Sequence, residues 1–214
     1  MDPAFTLHGY FRSSAAWRVR IAFNLKGVTP ETVVHNLRDG RQKDPAYAAL
    51  NPQKLVPALQ LDDGAVLTQS LAIIGWLDRE VPQPPLLPAG SLERARVEAF
   101  ALTIACDTHP LQNLRVLNRL REKGFSEDEV KAWIGAAISD GLSACEALIR
   151  DEAGPFCFGE APTLADLCLV PQIGSARRYG IDLSHYPKLV AIDAHCATLP
   201  AFIAARPDQQ PDAV

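Results

Sequence analysis

Two adjacent serines followed by an arginine-rich run, Arg12-Ser13-Ser14-Ala15-Ala16-Trp17-Arg18-Val19-Arg20, are the residues of this chain best suited to chemistry. They lie between a strand-like run, Phe5-Thr6-Leu7-His8-Gly9-Tyr10, and a helical apolar pattern at Val19, Ile21, Ala22, Phe23 and Leu25. The first N–H groups of such a helix have no intrahelical partner, and the helix dipole favours negative charge there. A thiolate or carboxylate at that point is stabilised by N–H donors, serine O–H donors and nearby arginines together. The same serines suit a plain helix cap, and the local sequence leaves both readings open. Arginines recur in Ala176-Arg177-Arg178-Tyr179. Arg12, Arg177 and Arg178 each suit a bidentate carboxylate clamp or a solvated surface. Arg18 and Arg20, inside the helical pattern, are expected to pair with acidic neighbours.

The elements that must position these groups are legible in outline. Glu31-Thr32-Val33-Val34-His35 reads as a second strand, and Arg38 to Ala49 as a loop with a partial helix. Val56-Pro57-Ala58-Leu59-Gln60-Leu61 and Ala65-Val66-Leu67 flank Asp62-Asp63-Gly64, a hairpin signal. Proline at a strand start fits either a cis bond, leaving the Val56 backbone to a ligand, or an ordinary trans bond. Gln69-Ser70 precedes the apolar run Leu71-Ala72-Ile73-Ile74-Gly75-Trp76-Leu77, so a second helix is expected with serine at or near its N-cap. This β-α-β-α-β-β-α order predicts a small α/β domain with a mixed sheet over residues 1–81. Pro82, Pro84, Pro85, Pro88 and Gly90 then predict a linker over 82–90. Apolar residues at helical spacing beyond it, such as Val97, Phe100, Ala101 and Ile104, predict an all-helical domain over 91–214. Thr163-Leu164-Ala165-Asp166 has the form of a capping box, in which threonine oxygen accepts the Asp166 N–H and the carboxylate accepts the Thr163 N–H. Asp107, His109, Gln112 and Asn113 form a polar cluster in this apolar half, either hydrogen-bonded in the core or facing a cleft.

The 214 residues are 48% hydrophobic and 21% charged, an ordinary globular composition. A net charge of -4 without a basic run argues against nucleic acid as a partner. No apolar stretch reaches the length of a membrane span, and no basic-then-apolar leader opens the chain. Cys106, Cys145, Cys157, Cys168 and Cys196 are dispersed without a CxxC pair, which fits buried thiols in a reducing cytoplasm rather than disulfides or a metal site.

Taken together, these features resemble the glutathione transferases: a thioredoxin-like N-terminal domain, a proline-rich linker and a helical domain carrying the capping box. Ser13-Ser14-Ala15-Ala16-Trp17-Arg18-Val19-Arg20 is similar to the zeta-class motif Ser-Ser-Cys-x-Trp-Arg-Val-Arg. The resemblance extends through Asn51-Pro52-Gln53-Lys54-Leu55-Val56-Pro57, Gln69-Ser70-Leu71-Ala72-Ile73-Ile74, Pro110-Leu111-Gln112-Asn113-Leu114 and the run from Thr163 to Gln172. It implies glutathione as cofactor and a small dicarboxylate-type substrate, in a cytoplasmic homodimer. By resemblance, Ser13 and Ser14 hold the glutathione sulfur and Val56 pairs with the cysteinyl backbone. Gln69 and Ser70 take the γ-glutamyl end, and Gln42 the glycyl end. His109, Asn113 and Arg115 reach cofactor or substrate from the helical domain, while Arg178 binds a substrate carboxylate, with Arg12 and Arg177 as further anchors.

The activity so implied is the cis–trans isomerisation of maleylacetoacetate to fumarylacetoacetate by thiolate addition, bond rotation and elimination, a form of nucleophilic catalysis. An ordinary thiol is mostly protonated at neutral pH, so the site must lower its pKa. Trp17 and Gln112-Asn113 favour this branch. The Ala-Arg-Arg run and His109 resemble the maleylpyruvate isomerase branch as well. Other readings are a transferase or dehalogenase acting on α-halo acids, and a non-catalytic glutathione-binding protein. Ala15 stands where the motif carries cysteine, so the reacting sulfur is expected to belong to the cofactor.

Overall fold

A computed structural model describes residues 5–213. They divide into two compact units, one of residues up to Pro85 together with those from Thr198 onward, the other spanning Leu86–Ala197. In the first unit, β1 (Thr6–Gly9) leads to α1 (Ser14–Lys26), β2 (Glu31–Val34), α2 (Pro45–Leu50), β3 (Ala58–Gln60), β4 (Val66–Thr68) and α3 (Ser70–Glu80). The strands form one mixed sheet in the order β2-β1-β3-β4, with β1 and β2 parallel and β3 antiparallel to β1 and β4. The Asp-Gly hairpin turn is present, with Gly64 at φ 84 and the Asp63 carboxylate accepting the Ala65 N–H at 2.9 Å. Its first strand is shorter than the apolar run suggests, because Val56 and Pro57 lie outside β3 and are joined by a cis peptide bond.

Helix α1 is ended by Gly27, whose left-handed φ of 66 lets its N–H reach the Asn24 carbonyl while the Val28 N–H reaches that of Phe23. Along the helix Val19, Ile21, Ala22 and Phe23 are buried. The Phe23 ring meets Phe5, which in turn meets Trp76 of α3 edge-on at 5.5 Å. Each of the larger side chains contributes roughly 1.5–3 kcal/mol by leaving water. At the last residue of α1 the buried Lys26 ammonium donates to Asp78 at 2.6 Å and to the Pro84 carbonyl at 2.5 Å.

The last residues depart from the expected domain plan. Helix α9 (Pro200–Ala205) packs on α1, where Arg20 donates to the Ala205 carbonyl at 3.0 Å and Asn24 to that of Ala201 at 2.9 Å. Asp212 accepts the Phe11 N–H at 2.9 Å. The segment therefore belongs with the α/β unit and not with the helical domain of 91–214. Arg20 is a tether to backbone carbonyls, and the Asp212 carboxylate is close enough to favour its charge.

The second unit is helical: α4 (Ser91–Leu102), α5 (Leu114–Glu122), α6 (Glu127–Leu148), α7 (Leu164–Arg178) and α8 (Pro187–Cys196). No described helix is long and apolar enough to cross a membrane. Helix α7 is the core element, and its start is fixed by Asp166, which is fully buried. That carboxylate accepts the Thr163 N–H at 2.7 Å, the Thr163 hydroxyl at 3.0 Å and the Cys157 N–H at 2.8 Å. The expected capping box is thus present, the Thr163 side chain meeting the Asp166 backbone and the carboxylate meeting that of Thr163, with the threonine hydroxyl donating to the carboxylate as well. Burial pushes the Asp166 carboxyl upward while these donors pull it back. Cys145, Cys157, Cys168 and Cys196 are buried free thiols in this unit, and Cys106 is an exposed one. Burial pushes the Cys145 thiol up to about 12.

Between α4 and α5 the chain runs through a π-helical turn, Thr103–Thr108, and a 3-10 turn, His109–Gln112. The Thr108 hydroxyl donates to the Thr103 carbonyl at 2.8 Å, and its side chain occupies the space beside Gly141 of α6. A methyl group on Gly141 would overlap it. Gly141→Ala is expected to lower unfolding stability by roughly 1–3 kcal/mol in denaturant titration; an unchanged midpoint would contradict this packing.

Candidate active site

At the N-terminus of α1, Ser13 is the N-cap residue and its Oγ accepts the Ala16 N–H at 3.2 Å. An accepting hydroxyl keeps its proton, so cap and donor are compatible roles for one serine. Ser14 is the first helical residue and is buried. No acidic residue occupies the first turn, which leaves the positive end of the dipole uncompensated by the helix itself. Arg12 is half-buried beside it and forms no ion pair among the described residues.

A second helix start stands next to the first. Gln69 precedes α3 at φ 69, a left-handed conformation that costs a non-glycine residue on the order of 1 kcal/mol or more, and such positions cluster at ligand sites. Its Nε2 donates to Gln53 Oε1 at 2.8 Å. The N-cap residue of α3 is Gln69, and the expected serine stands next to it. Ser70 is the first helical residue, and its hydroxyl oxygen accepts from Arg18 Nη1 at 3.3 Å instead of capping the helix. Arg18, only 1% exposed, thus meets a serine at the start of α3.

The segment before Pro57 is held from within. The Leu55 carbonyl accepts from the Tyr47 hydroxyl at 2.5 Å and from Asn51 Nδ2 at 2.7 Å, while Asn51 Oδ1 takes the Gln53 N–H at 3.0 Å. Val56 sits in an apolar cluster with Tyr10, Phe11, Tyr47 and Ala58. Its backbone N–H and carbonyl have no hydrogen-bond partner among the described residues, so a short strand-like edge is left for a ligand. Gln42, in the 3-10 turn Arg41–Lys43, has an enclosed Oε1 that also lacks a partner among the described residues. Sequence reasoning missed Tyr47, Asn51 and Arg18 as organisers; only the Asn51-Pro52 turn dipeptide offered a local signal for any of them.

In the helical unit the polar cluster splits. Gln112 is buried and donates to Gln172 Oε1 at 2.9 Å, and its own Oε1 accepts the Ser175 hydroxyl at 2.8 Å. Asn113 caps α5 by accepting the Arg115 N–H at 3.0 Å. His109 is half-buried, whereas Asp107 and Arg115 are exposed. The paired arginines part ways. Arg177 is bound to Asp193 at 2.6 Å, a carboxyl that burial pushes up and Arg177 holds back. Arg178 donates to Ser175 Oγ at 2.9 Å and lies 5.2 Å from the Tyr179 ring centroid, and it is exposed. Arg178 is therefore the arginine of the two with its charge left for a ligand.

Residues 12–80 match the glutathione S-transferase N-terminal domain family. The chain is 47% identical over 208 residues to maleylacetoacetate isomerase of Pseudomonas aeruginosa, covering 96% of this chain and 97% of that one. It is 50% identical over 212 residues to maleylpyruvate isomerase of a Ralstonia species, covering 96% and 98%. The chain belongs to the glutathione transferase family. Within it, the similarity is to the zeta class. A crystal structure of maleylacetoacetate isomerase from Anaeromyxobacter dehalogenans with glutathione bound in its active site superposes with a TM-score of 0.91 at 45% identity, covering 100% of this chain and 99% of that one. The mixed four-stranded sheet followed by a helical unit is the fold of that family. Among the described residues, no group of three or more His, Cys, Asp and Glu side chains is placed to hold a metal.

The arginine assignment has a direct check. Arg177→Ala strands the Asp193 carboxylate and is expected to lower stability by about 1–3 kcal/mol, discounted for the half-exposed arginine. Arg178→Ala is expected to stay within about 0.5 kcal/mol of the parent chain. Equal losses in thermal unfolding would contradict the distinction.

Proposed function

We propose that this chain is a glutathione-dependent cis–trans isomerase that converts maleylacetoacetate to fumarylacetoacetate. The observation that carries the reading is its full-length similarity to maleylacetoacetate isomerase together with an α1 N-terminus that offers a serine O–H and a dipole end with no acidic residue in its first turn. Glutathione fits the residues present, because the Val56 backbone and Gln42 Oε1 are unpartnered polar groups of the kind a peptide-like ligand needs. Glutathione supplies, when bound, the thiolate that adds to the cis double bond and leaves after rotation.

The chain's own residues hold and charge that site. Ser13 donates its hydroxyl proton toward the sulfur while continuing to cap α1, and Ser14 holds the sulfur from the first position of the helix. Neither serine removes a proton; each favours the anionic sulfur over the neutral thiol. Val56 pairs with the cysteinyl backbone in strand fashion. Gln69 and Ser70, at the positive end of α3, take the γ-glutamyl carboxylate and amine, and Gln42 takes the glycyl end. His109, Asn113 and Arg115 complete the cofactor contacts. Arg178 anchors a substrate carboxylate, and Arg12 serves the charge that builds on the substrate oxygen. Arg177 is the weakest of the substrate assignments, since its guanidinium is engaged by Asp193. A homodimer in the cytoplasm completes the proposal; four buried free thiols favour a reducing compartment.

A second reading has its own support: maleylpyruvate as substrate, given a relative at 50% identity that carries that name. The test is to follow loss of the cis isomer of each compound with and without glutathione. Glutathione-dependent acceleration with maleylacetoacetate preferred is the expected result, and no acceleration with either compound overturns the isomerase. Ser13→Asp separates cap from sulfur site: the carboxylate still caps α1, so stability should stay within about 0.5 kcal/mol. Turnover should nevertheless fall at least a hundredfold, because a second anion faces the thiolate.

A further inference from the structure

Arg178 does not stand alone. It closes a chain of hydrogen bonds that runs into the buried centre of the helical unit: Arg178 Nη2 to Ser175 Oγ at 2.9 Å, Ser175 Oγ to Gln112 Oε1 at 2.8 Å, and Gln112 Nε2 to Gln172 Oε1 at 2.9 Å. Gln172 is fully buried, Ser175 is 2% exposed and Gln112 6%. Gln172, Ser175 and Arg178 follow one another at three-residue intervals on α7, which places them along one face, while Gln112 enters from the 3-10 turn before α5.

The charge sets the direction of the whole chain. A guanidinium has only donors, so the Ser175 oxygen must accept from it. The serine proton then has to go to an acceptor, which fixes the Gln112 amide with its oxygen toward Ser175 and its nitrogen toward Gln172. Each link leaves the next a single orientation, and dipoles aligned in this way strengthen one another in a low-dielectric interior. Gln172 Nε2 ends the chain, buried and without a hydrogen-bond partner among the described residues, a cost the fold accepts. Packing alone gives no reason to bury two glutamines and a serine there. Holding one edge of an exposed arginine does.

We propose that Ser175 and Gln112 are positioning residues for Arg178. They fix one Nη of its guanidinium so that the remaining N–H groups meet a substrate carboxylate as a preset fork, with the ordering of the arginine completed before substrate arrives. This rests on the reading of Arg178 as the carboxylate anchor.

The test is a double-mutant cycle in kcat/KM for the preferred cis substrate at saturating glutathione. Ser175→Ala is expected to lower kcat/KM about tenfold, the scale of one hydrogen bond to a charged group, with the KM for glutathione unchanged. Ser175→Thr, which retains the hydroxyl, is expected to restore most of it. In an Arg178→Ala background, Ser175→Ala is expected to change nothing further. A nitrogen-15 NMR measurement provides a readout independent of turnover: rotation of the Arg178 guanidinium should be slow in the parent protein and fast in Ser175→Ala. Full additivity of the two substitutions, or an unaltered guanidinium signal, overturns the relay. A loss with Arg178→Ala but none with Ser175→Ala overturns the relay alone, whereas no loss with Arg178→Ala removes the anchor reading and the relay with it.

Discussion

The contact on which the α/β unit turns is the buried guanidinium of Arg18 against the Ser70 hydroxyl. Placing a permanent charge at 1% exposure is costly unless it is well used. Here it links the second turn of α1 to the first residue of α3, so the start of α3 packs beside the first turns of α1. Each brings a partial positive charge, and Arg18 adds a full charge beside them. A unit built in this way is organised to receive an anion. The rest of its framework keeps that arrangement in register: Arg20 donates to the Tyr10, Phe11 and Ala205 carbonyls and so ties the β1–α1 loop to the C-terminal segment. Burial lowers the Arg20 guanidinium to about 10, still charged at neutral pH.

What could be read from the amino-acid order was whatever is decided within a few residues. The Asp-Gly hairpin, the proline break after α3, the serine at the start of α1 and the Thr163–Asp166 box depend on local hydrogen bonds and backbone preferences, and they stand where the sequence indicates. Features settled by distant partners were hidden. Ser70 stands at the start of α3 as its position suggests, but nothing local shows that Arg18, 52 residues away, claims its oxygen. Residues from Thr198 onward continue the helical pattern, yet they pack on α1 through a bond spanning 185 residues. Residue type alone gives Arg177 and Arg178 the same two readings, and it is Asp193 on one and Ser175 on the other that separate them in the fold. The polar cluster around Gln112 was visible as an anomaly, but its meaning needed Gln172 and Ser175.

The proposed site follows the same logic in both units: a charged or polar group assigned to a ligand is backed by a buried one that holds it. In the first unit Asn51 and Tyr47 grip the Leu55 carbonyl and so steady the backbone edge at Val56. In the second, a buried amide chain stands behind Arg178. Support of this kind matters for an isomerase whose substrate and cofactor are both flexible anions, because freedom removed beforehand need not be lost on binding. Ala15 fits the proposed role of the serines, since a site that lowered the pKa of the cofactor sulfur would have no need of a thiol of its own.

The central claim is that the serine-capped start of α1 makes a thiolate of a bound thiol. It is tested most directly by ultraviolet titration of glutathione on the protein, following thiolate absorbance against pH. A bound thiol that ionises at least about one unit below the ordinary value of roughly 8.5 is the predicted result. A thiol that binds yet ionises at its ordinary pKa would contradict the account.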